Sequence, residues 1–309
     1  MIGPMPDLVA YDELAYFHEN AAEAGIPWVG PPVVQRLTVE VEPGRSLSAL
    51  RWGTGDPGLV LIHGGAQNAH TWDTVALALD EPLLAIDLPG HGHSDGPGER
   101  SGGTLSVEGN AADVAVVIQR LAPMARAVVG MSLGGLTTIA LAADHPGLVR
   151  AAALVDVTPG VNREKSATIS AFVQGPESFD SFDDLLARTI EFNPTRTESS
   201  LRRGILHNAK QRSDGTWVWR YRRFAPPPGD TGGPPDHSRL WDKLGQLTIP
   251  LVLVRGMRAQ SVVDDSDEAE LLRRCPGAGV VHVQEAGHSV QGDAPVELAR
   301  ILGAFPPGG

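Results

Sequence analysis

The sequence holds a single cysteine, Cys275, so no disulfide can form within the chain and a zinc site built from thiolates is not expected. So thiol-poor a composition suits a reducing compartment. Positive charge is also scarce, with 25 Lys and Arg against 37 Asp and Glu and a formal net charge of -12. No Lys/Arg-rich run offsets that balance. Nucleic acid and anionic membrane surfaces both demand a basic face, so neither is expected as a partner. No apolar run approaches the length of a membrane span, and Met1 to Ala10 lack the basic-then-apolar order of a secretory signal. The chain is accordingly expected to be cytoplasmic.

What remains is the composition of a globular enzyme-sized chain: 309 residues, 42% hydrophobic and 20% charged, enough for one large α/β domain with an insertion. Residues 7 to 25 have the apolar spacing of an amphipathic helix ending at Gly25, ahead of a Pro-rich break. We assign 1–32 as an N-terminal extension that packs either on its own domain or on a second copy, as a homodimer. Val33 to Val41 and Ser46 to Trp52 are strand-like and joined by hairpin chemistry at Glu42-Pro43-Gly44-Arg45.

Beyond Gly58 to Ile62, strand and helix patterns alternate. Leu83 to Ile86, Ala127 to Val129, Ala151 to Val157, Pro250 to Val254 and Val280 to Gln284 read as buried strands. Val107 to Leu121, Leu133 to Asp144, Glu268 to Arg274 and about Pro295 to Phe305 read as helices. That order belongs to βαβ units and a mostly parallel sheet. It stops between Thr158 and Leu247, where the chain turns polar, with helix-like stretches at Asp183 to Glu191 and Glu198 to Lys210. Residues 158–247 are expected to form a mainly helical lid inserted into a core of 33–157 and 248–309. Within it, Ala225 to Pro235 is expected to be mobile.

Gly130-Met131-Ser132-Leu133-Gly134 sits between an apolar strand and an apolar helix. A serine hydroxyl becomes a useful nucleophile only when held exposed beside a base and near backbone donors for the oxyanion. G-x-S-x-G between strand and helix supplies this, because the glycines allow a turn that side chains would obstruct, and the N–H of Leu133 becomes an oxyanion donor. Ser132 is the expected nucleophile. Of ten histidines, His63, His91 and His93 lie in Gly-rich turns suited to local hydrogen bonding, and His145 and His207 lie in helical stretches. His288 follows a strand in a Gly-flanked loop before the final helix, where it can reach over the C-terminal edge of the sheet. It is the expected general base.

From about Val33 onward the chain resembles the α/β-hydrolase superfamily in four motifs: His63-Gly64-Gly65-Ala66, Asp87-Leu88-Pro89-Gly90-His91-Gly92-His93-Ser94, the Gly130 to Gly134 elbow, and Ala286-Gly287-His288. The resemblance implies the α/β-hydrolase fold, an eight-stranded and mostly parallel sheet flanked by helices. It also implies that Gly65 or Ala66 supplies the second oxyanion N–H. The acid departs from the usual pattern. Where a carboxylate ordinarily follows the penultimate strand, this chain reads Arg255-Gly256-Met257-Arg258-Ala259-Gln260-Ser261. Asp264 and Asp265 come later, at a helix start where Asp ordinarily caps. Some members carry the acid after the strand that follows the elbow, and Asp156 occupies that place. We take Asp156 as the triad acid, with Asp264 and Asp265 as alternates.

A serine at the elbow, where epoxide hydrolases and haloalkane dehalogenases carry aspartate, implies attack on a carbonyl. The expected substrate is a medium-sized, partly apolar carboxylic ester or lactone, and no cofactor or metal is required. Trp217, Trp219 and Trp241 are candidates for the pocket wall, with packing onto the core as the competing role. Hydrolysis of a carbon–carbon bond in a β-diketone is the rival reaction. A non-catalytic hydrolase-like binding protein is the rival from another class.

Overall fold

Two strands, Val34–Glu42 (β1) and Arg45–Trp52 (β2), pair antiparallel at one margin of the main sheet, with a bulge between Glu40 and Glu42 beside a turn closed by Gly44 at φ 72°. The computed structural model describes residues 9–99, 102–161, 164–194, 196–223 and 237–306, so the stretch Ala225 to Pro235 lies outside the described residues. Leu59–Ile62 (β3), Leu83–Ile86 (β4), Ala127–Met131 (β5) and Ala152–Val155 (β6) follow. After a long excursion that holds three short strands of another sheet come Leu251–Gly256 and Gly279–Val283, the seventh and eighth strands of the main sheet in chain order. The short strands are Ser178–Phe179 (β7), Ala209–Gln211 (β8) and Trp217–Trp219 (β9), which makes the two later main-sheet strands β10 and β11.

The main sheet has eight strands in the order β1-β2-β4-β3-β5-β6-β10-β11. Every pairing from β4 to β11 is parallel, and β2 meets β4 antiparallel. This is the α/β-hydrolase architecture. Parallel strands buried on both faces need apolar residues at every position. β3, β4 and β6 are buried throughout, and successive residues of β3 feed opposite layers, Val60 and Ile62 to one and Leu59 and Leu61 to the other.

Helices Val107–Leu121 (α3) and Leu133–Asp144 (α4) cover the first layer. Phe17–Ala24 (α1), Asp73–Leu79 (α2) and Pro295–Gly303 (α11) cover the second. The N-terminal helix is shorter than its apolar spacing suggests. Gly25 ends it with φ 67° as expected, but residues before Phe17 leave the helical path. There Glu13 is drawn into a buried ion network: it binds Arg36, which also reaches Ser48 and Asp87, and it contacts His70.

The segment between β6 and β10 contains Ala167–Val173 (α5), Phe182–Phe192 (α6), Glu198–Asn208 (α7) and Leu240–Gly245 (α8). It also contains the antiparallel sheet β7-β9-β8, which a mainly helical reading of the sequence missed. Trp217 and Phe179 bury a small core of their own with Leu185, Leu186, Leu201 and Ile205.

His70 gives the ion network a definite pH dependence. Burial opposes its charge, but the Asp73 carboxylate at 2.9 Å and Glu13 at 3.2 Å outweigh burial and push it up to about 9. The folded protein holds this proton more tightly than the unfolded chain, whose histidine titrates near 6.5. The stabilisation is therefore complete below about pH 6.5 and is lost as pH rises through about 9. Urea midpoints should fall between pH 6 and pH 9.5 in the wild type and fall much less in His70→Gln; parallel declines would contradict the assignment.

Candidate active site

β5 runs into Ser132, whose backbone adopts φ 50° and ψ -119° at the start of α4. A non-glycine residue held there stores roughly 1–3 kcal/mol of strain, and the surrounding glycines explain why the turn survives. A Cβ on Gly130 would collide with the Gly134 carbonyl, and one on Gly134 with the Ile62 carbonyl. The Ser132 carbonyl accepts from Gly135 and Leu136 at 2.8 and 3.0 Å, anchoring the elbow into the helix. Ser132 itself stays partly exposed.

The loop after β3 crosses directly over this elbow. A Cβ on Gly64 would lie 2.5 Å from Met131 Sδ and 3.2 Å from Ser132 Cβ, so only glycine permits the approach. The Gly64 N–H donates to Gln67 Oε1 at 3.0 Å. Ala66, one of the two candidates for the second oxyanion donor, gives its N–H to His91 Nε2 at 3.2 Å instead. A Cβ on Gly65 would lie 3.9 Å from Leu133 Cδ2, and the Gly65 N–H has no partner among the described residues. The Leu133 amide opens α4, where an N–H has no intrahelical acceptor. Gly65 and Leu133 are thus the donor pair that the geometry leaves available.

His63 and His91 serve this loop rather than a reaction. His63 Nε2 accepts from Leu88 at 3.0 Å while Nδ1 lies 2.7 Å from the Gly64 carbonyl. Burial, and then the neighbouring His63, pull His91 down to about 3, so it stays neutral and can accept from Ala66.

The chain leaves β6 at Asp156, fully buried and at φ 46°. Oδ1 accepts from the Gly256 amide at 2.9 Å and the Ser261 hydroxyl at 2.6 Å. Oδ2 accepts from the Val262 amide at 3.1 Å and lies 2.9 Å from His288 Nδ1. A buried carboxylate requires this degree of hydrogen bonding. The end of β10 and the segment just after it, which has no carboxylate of its own, therefore supply three of the donors to this one. Ser261 was not singled out from sequence, although it stands where an acid was sought.

Neither alternate acid reaches His288. Asp264 caps Asp265–Arg274 (α9) in a capping box with Asp267 and pairs with Lys165 at 2.7 Å. Asp265 is exposed and pairs with Arg255 at 2.8 Å. His288 Nε2 has no partner among the described residues, and no hydrogen bond joins it to Ser132 Oγ in this structure. Catalytic hydrogen bonds are often formed only once substrate is bound.

A cavity of about 710 Å³ lies between the core and the β6–β10 segment. Its wall includes Gln67 and Ser289, beside the oxyanion loop and His288, without Ser132 or His288 themselves. Of the three tryptophans, only Trp219 lines it, stacked on Tyr221 at 5.4 Å. Trp217 packs in the small core and borders a separate pocket of about 150 Å³. Trp241 packs in the main core beneath Arg274. Large apolar area drew both inward.

His70, Asp73 and His207 each bring a ligand-type atom within 4.8 Å of the others. The two rings stack at 3.9 Å and 14°, so their lone pairs run side by side instead of converging on one point. His70 is already held by Asp73 and Glu13, and His207 Nδ1 by the Tyr11 hydroxyl at 2.7 Å. This is an ion network more than a metal cradle.

A strongly parallel sheet, a strained serine at a strand-to-helix turn and a histidine on a buried carboxylate agree with comparison to known proteins: residues 59–301 match the model of the alpha/beta hydrolase family, and the chain belongs to that family. It is a hydrolase. Among its relatives, Esterase Rv0045c of Mycobacterium tuberculosis (strain ATCC 25618 / H37Rv) is 46% identical over 308 residues, covering 96% of each chain. A crystal structure of Rv0045c superposes with a TM-score of 0.80 at 44% identity, covering 96% of this chain and 98% of that one. A pimeloyl-[acyl-carrier protein] methyl ester esterase of Aeromonas salmonicida (strain A449) is 30% identical, covering 84% of this chain and 99% of the relative. Among the described residues, no helix is long and apolar enough to cross a membrane.

Gly134→Ala should destabilise the protein by roughly 3 kcal/mol through overpacking at the elbow. Thermal denaturation reads this directly, and an unchanged Tm would show that the loop does not press on this glycine.

Proposed function

We propose that the protein is a serine esterase that cleaves a carboxylic ester or lactone through an acyl-enzyme. The observation that carries this reading is the 2.9 Å contact between His288 Nδ1 and the four-partner Asp156 carboxylate. A buried carboxylate there fixes the ring so that Nδ1 carries the proton and Nε2 is left as the base. Relatives named as esterases support the choice of an ester carbonyl over a β-diketone.

In the proposed reaction His288 Nε2 takes the proton from Ser132 Oγ as it attacks the carbonyl carbon. The resulting oxyanion meets the N–H groups of Gly65 and Leu133. Collapse expels the alcohol, which receives the proton from His288. Water, deprotonated by the same nitrogen, then attacks the acyl-enzyme, and a second collapse returns Ser132 and releases the acid. Asp156 keeps its charge throughout and stabilises the imidazolium.

Residues 158–247 act in this reading as the lid. Two hydrogen bonds support it: Asn208 Nδ2 donates to the Ala66 carbonyl at 2.7 Å, and Asn68 Nδ2 to the His207 carbonyl at 3.0 Å, tying the segment to the oxyanion loop. Residues 1–32 are read as an extension, of which the described part from Val9 onward braces this lid, and a small molecule is the partner.

A fluorophosphonate probe should label the wild type and not Ser132→Ala, while hydrolysis of 4-nitrophenyl butyrate disappears with the label. Asp156→Asn should retain slow labelling but lose roughly 10⁴-fold in kcat. An unlabelled wild type, or equal labelling of Ser132→Ala, would overturn the mechanism.

A further inference from the structure

Three arginines line the 710 Å³ cavity, and two of them are already neutralised. Arg203 is held by Glu19 and Glu23, and Arg258 by Glu285. Arg196 is different. Its side chain donates only to the Ser200 hydroxyl, and among the described residues no carboxylate lies within ion-pair distance. Asp293 and Glu23 act on it only through space. Both are committed elsewhere: Asp293 Oδ2 accepts from the Gly287 amide at 2.9 Å, and Glu23 binds Arg203 and the Thr197 hydroxyl.

The guanidinium is also close to the catalytic loop. A Cβ on Gly292 would collide with Arg196 Nη1 and lie 3.1 Å from Ser289 Oγ, so Arg196 rests against the turn that begins one residue after His288. Burial pulls Arg196 below the ordinary arginine range, yet arginine remains a cation in any protein environment. A half-buried cation without an ion-pair partner is incompletely satisfied, and the usual resolution is an anionic partner.

We propose that Arg196 is the anion-recognition residue of this cavity, and that the substrate is an ester carrying a carboxylate several bonds from its scissile carbonyl. The proposal rests on the esterase reading and names the substrate class for it. A planar guanidinium presents paired N–H donors that match a carboxylate in bidentate fashion. The lining around it also carries the committed carboxylates of Asp293 and Glu23, and Asn193, whose Nδ2 spends one N–H on the Thr189 carbonyl, can donate the other to the same group. A phosphate dianion fits less well. It would need a second free cation, and the other two arginines are paired, while Asp293 stands nearby. Phe172 and Trp219 supply an apolar wall for the linking methylenes.

The test compares mono-4-nitrophenyl esters of succinate, glutarate and adipate with 4-nitrophenyl butyrate, valerate and hexanoate, which match them in length without the charge. Wild type should favour at least one anionic ester over its neutral counterpart. Arg196→Gln should lower that anionic-to-neutral ratio of kcat/KM by roughly 10- to 100-fold, the value of a charge-assisted bond, mainly through KM. A ratio is insensitive to the fraction of folded enzyme. If Arg196→Gln yields no folded protein, Arg196→Lys keeps the charge, loses the fork, and must lower the same ratio. An unchanged ratio, or a neutral ester preferred by the wild type at all three lengths, would overturn the proposal.

If wild type hydrolyses none of the six esters, the esterase reading fails by itself. The anion site is then read by binding: glutarate or adipate should raise the wild-type Tm in a concentration-dependent manner, and the rise should vanish in the Arg196 variant. No rise in the wild type would reject the site as well.

Discussion

A carboxylate with no exposure to water, at the C-terminal edge of a parallel sheet, must find its hydrogen bonds within the protein or destabilise it. Asp156 finds them in three places at once: the end of β10, the loop beyond it, and the loop that carries His288. These segments are far apart in sequence, so their mutual position is set by a demand of one side chain. The histidine is oriented as a by-product of satisfying the acid. The same logic explains the unusual backbone at Asp156, since φ 46° turns the carboxylate back over the sheet edge, where those donors lie.

A second buried network binds pieces that the sheet alone would not hold. Arg36 on β1 joins Glu13 from the N-terminal segment to Asp87 after β4, while Tyr11 and Arg203 extend the contacts into α7. The N-terminal residues therefore touch the core and the β6–β10 segment together. In this network each cation faces a carboxylate, and that balance is what sets Arg196 apart.

Much of this was legible in the sequence, for identifiable reasons. The buried strands were visible because parallel strands with two covered faces admit only apolar residues, and α3 and α4 match their expected bounds. The elbow was visible because glycine at two positions and an exposed serine have few other uses between strand and helix. Asp156 could be placed ahead of Asp264 and Asp265 as the candidate acid because an aspartate ending an apolar strand needs a reason. What escaped was governed by tertiary contacts. The helix after the oxyanion loop, Asp73–Leu79, is short and begins in an ion network. The sheet β7-β9-β8 is built from strands of two or three residues, although Trp217-Val218-Trp219 carries an aromatic and β-branched pattern that favours a strand. Ser261 gave no signal of its own, because a serine gains meaning only once the carboxylate facing it is known. Arg196 likewise gave no signal of its own, because an arginine without an ion-pair partner is recognised only once the carboxylates around it are located.

The left-handed backbone at Ser132 has a cost that the rest of the molecule carries. Glycine adopts such angles without penalty, so in the proposed mechanism the strain is the cost of placing a hydroxyl at this point. On that mechanism, replacing the serine by glycine would remove the nucleophile and relax the turn together, leaving an inert protein more robust than the working one. Selection acting on stability alone would then drift away from activity at this position, and the serine of the proposed mechanism would mark where the fold accepts a less stable state in exchange for chemistry.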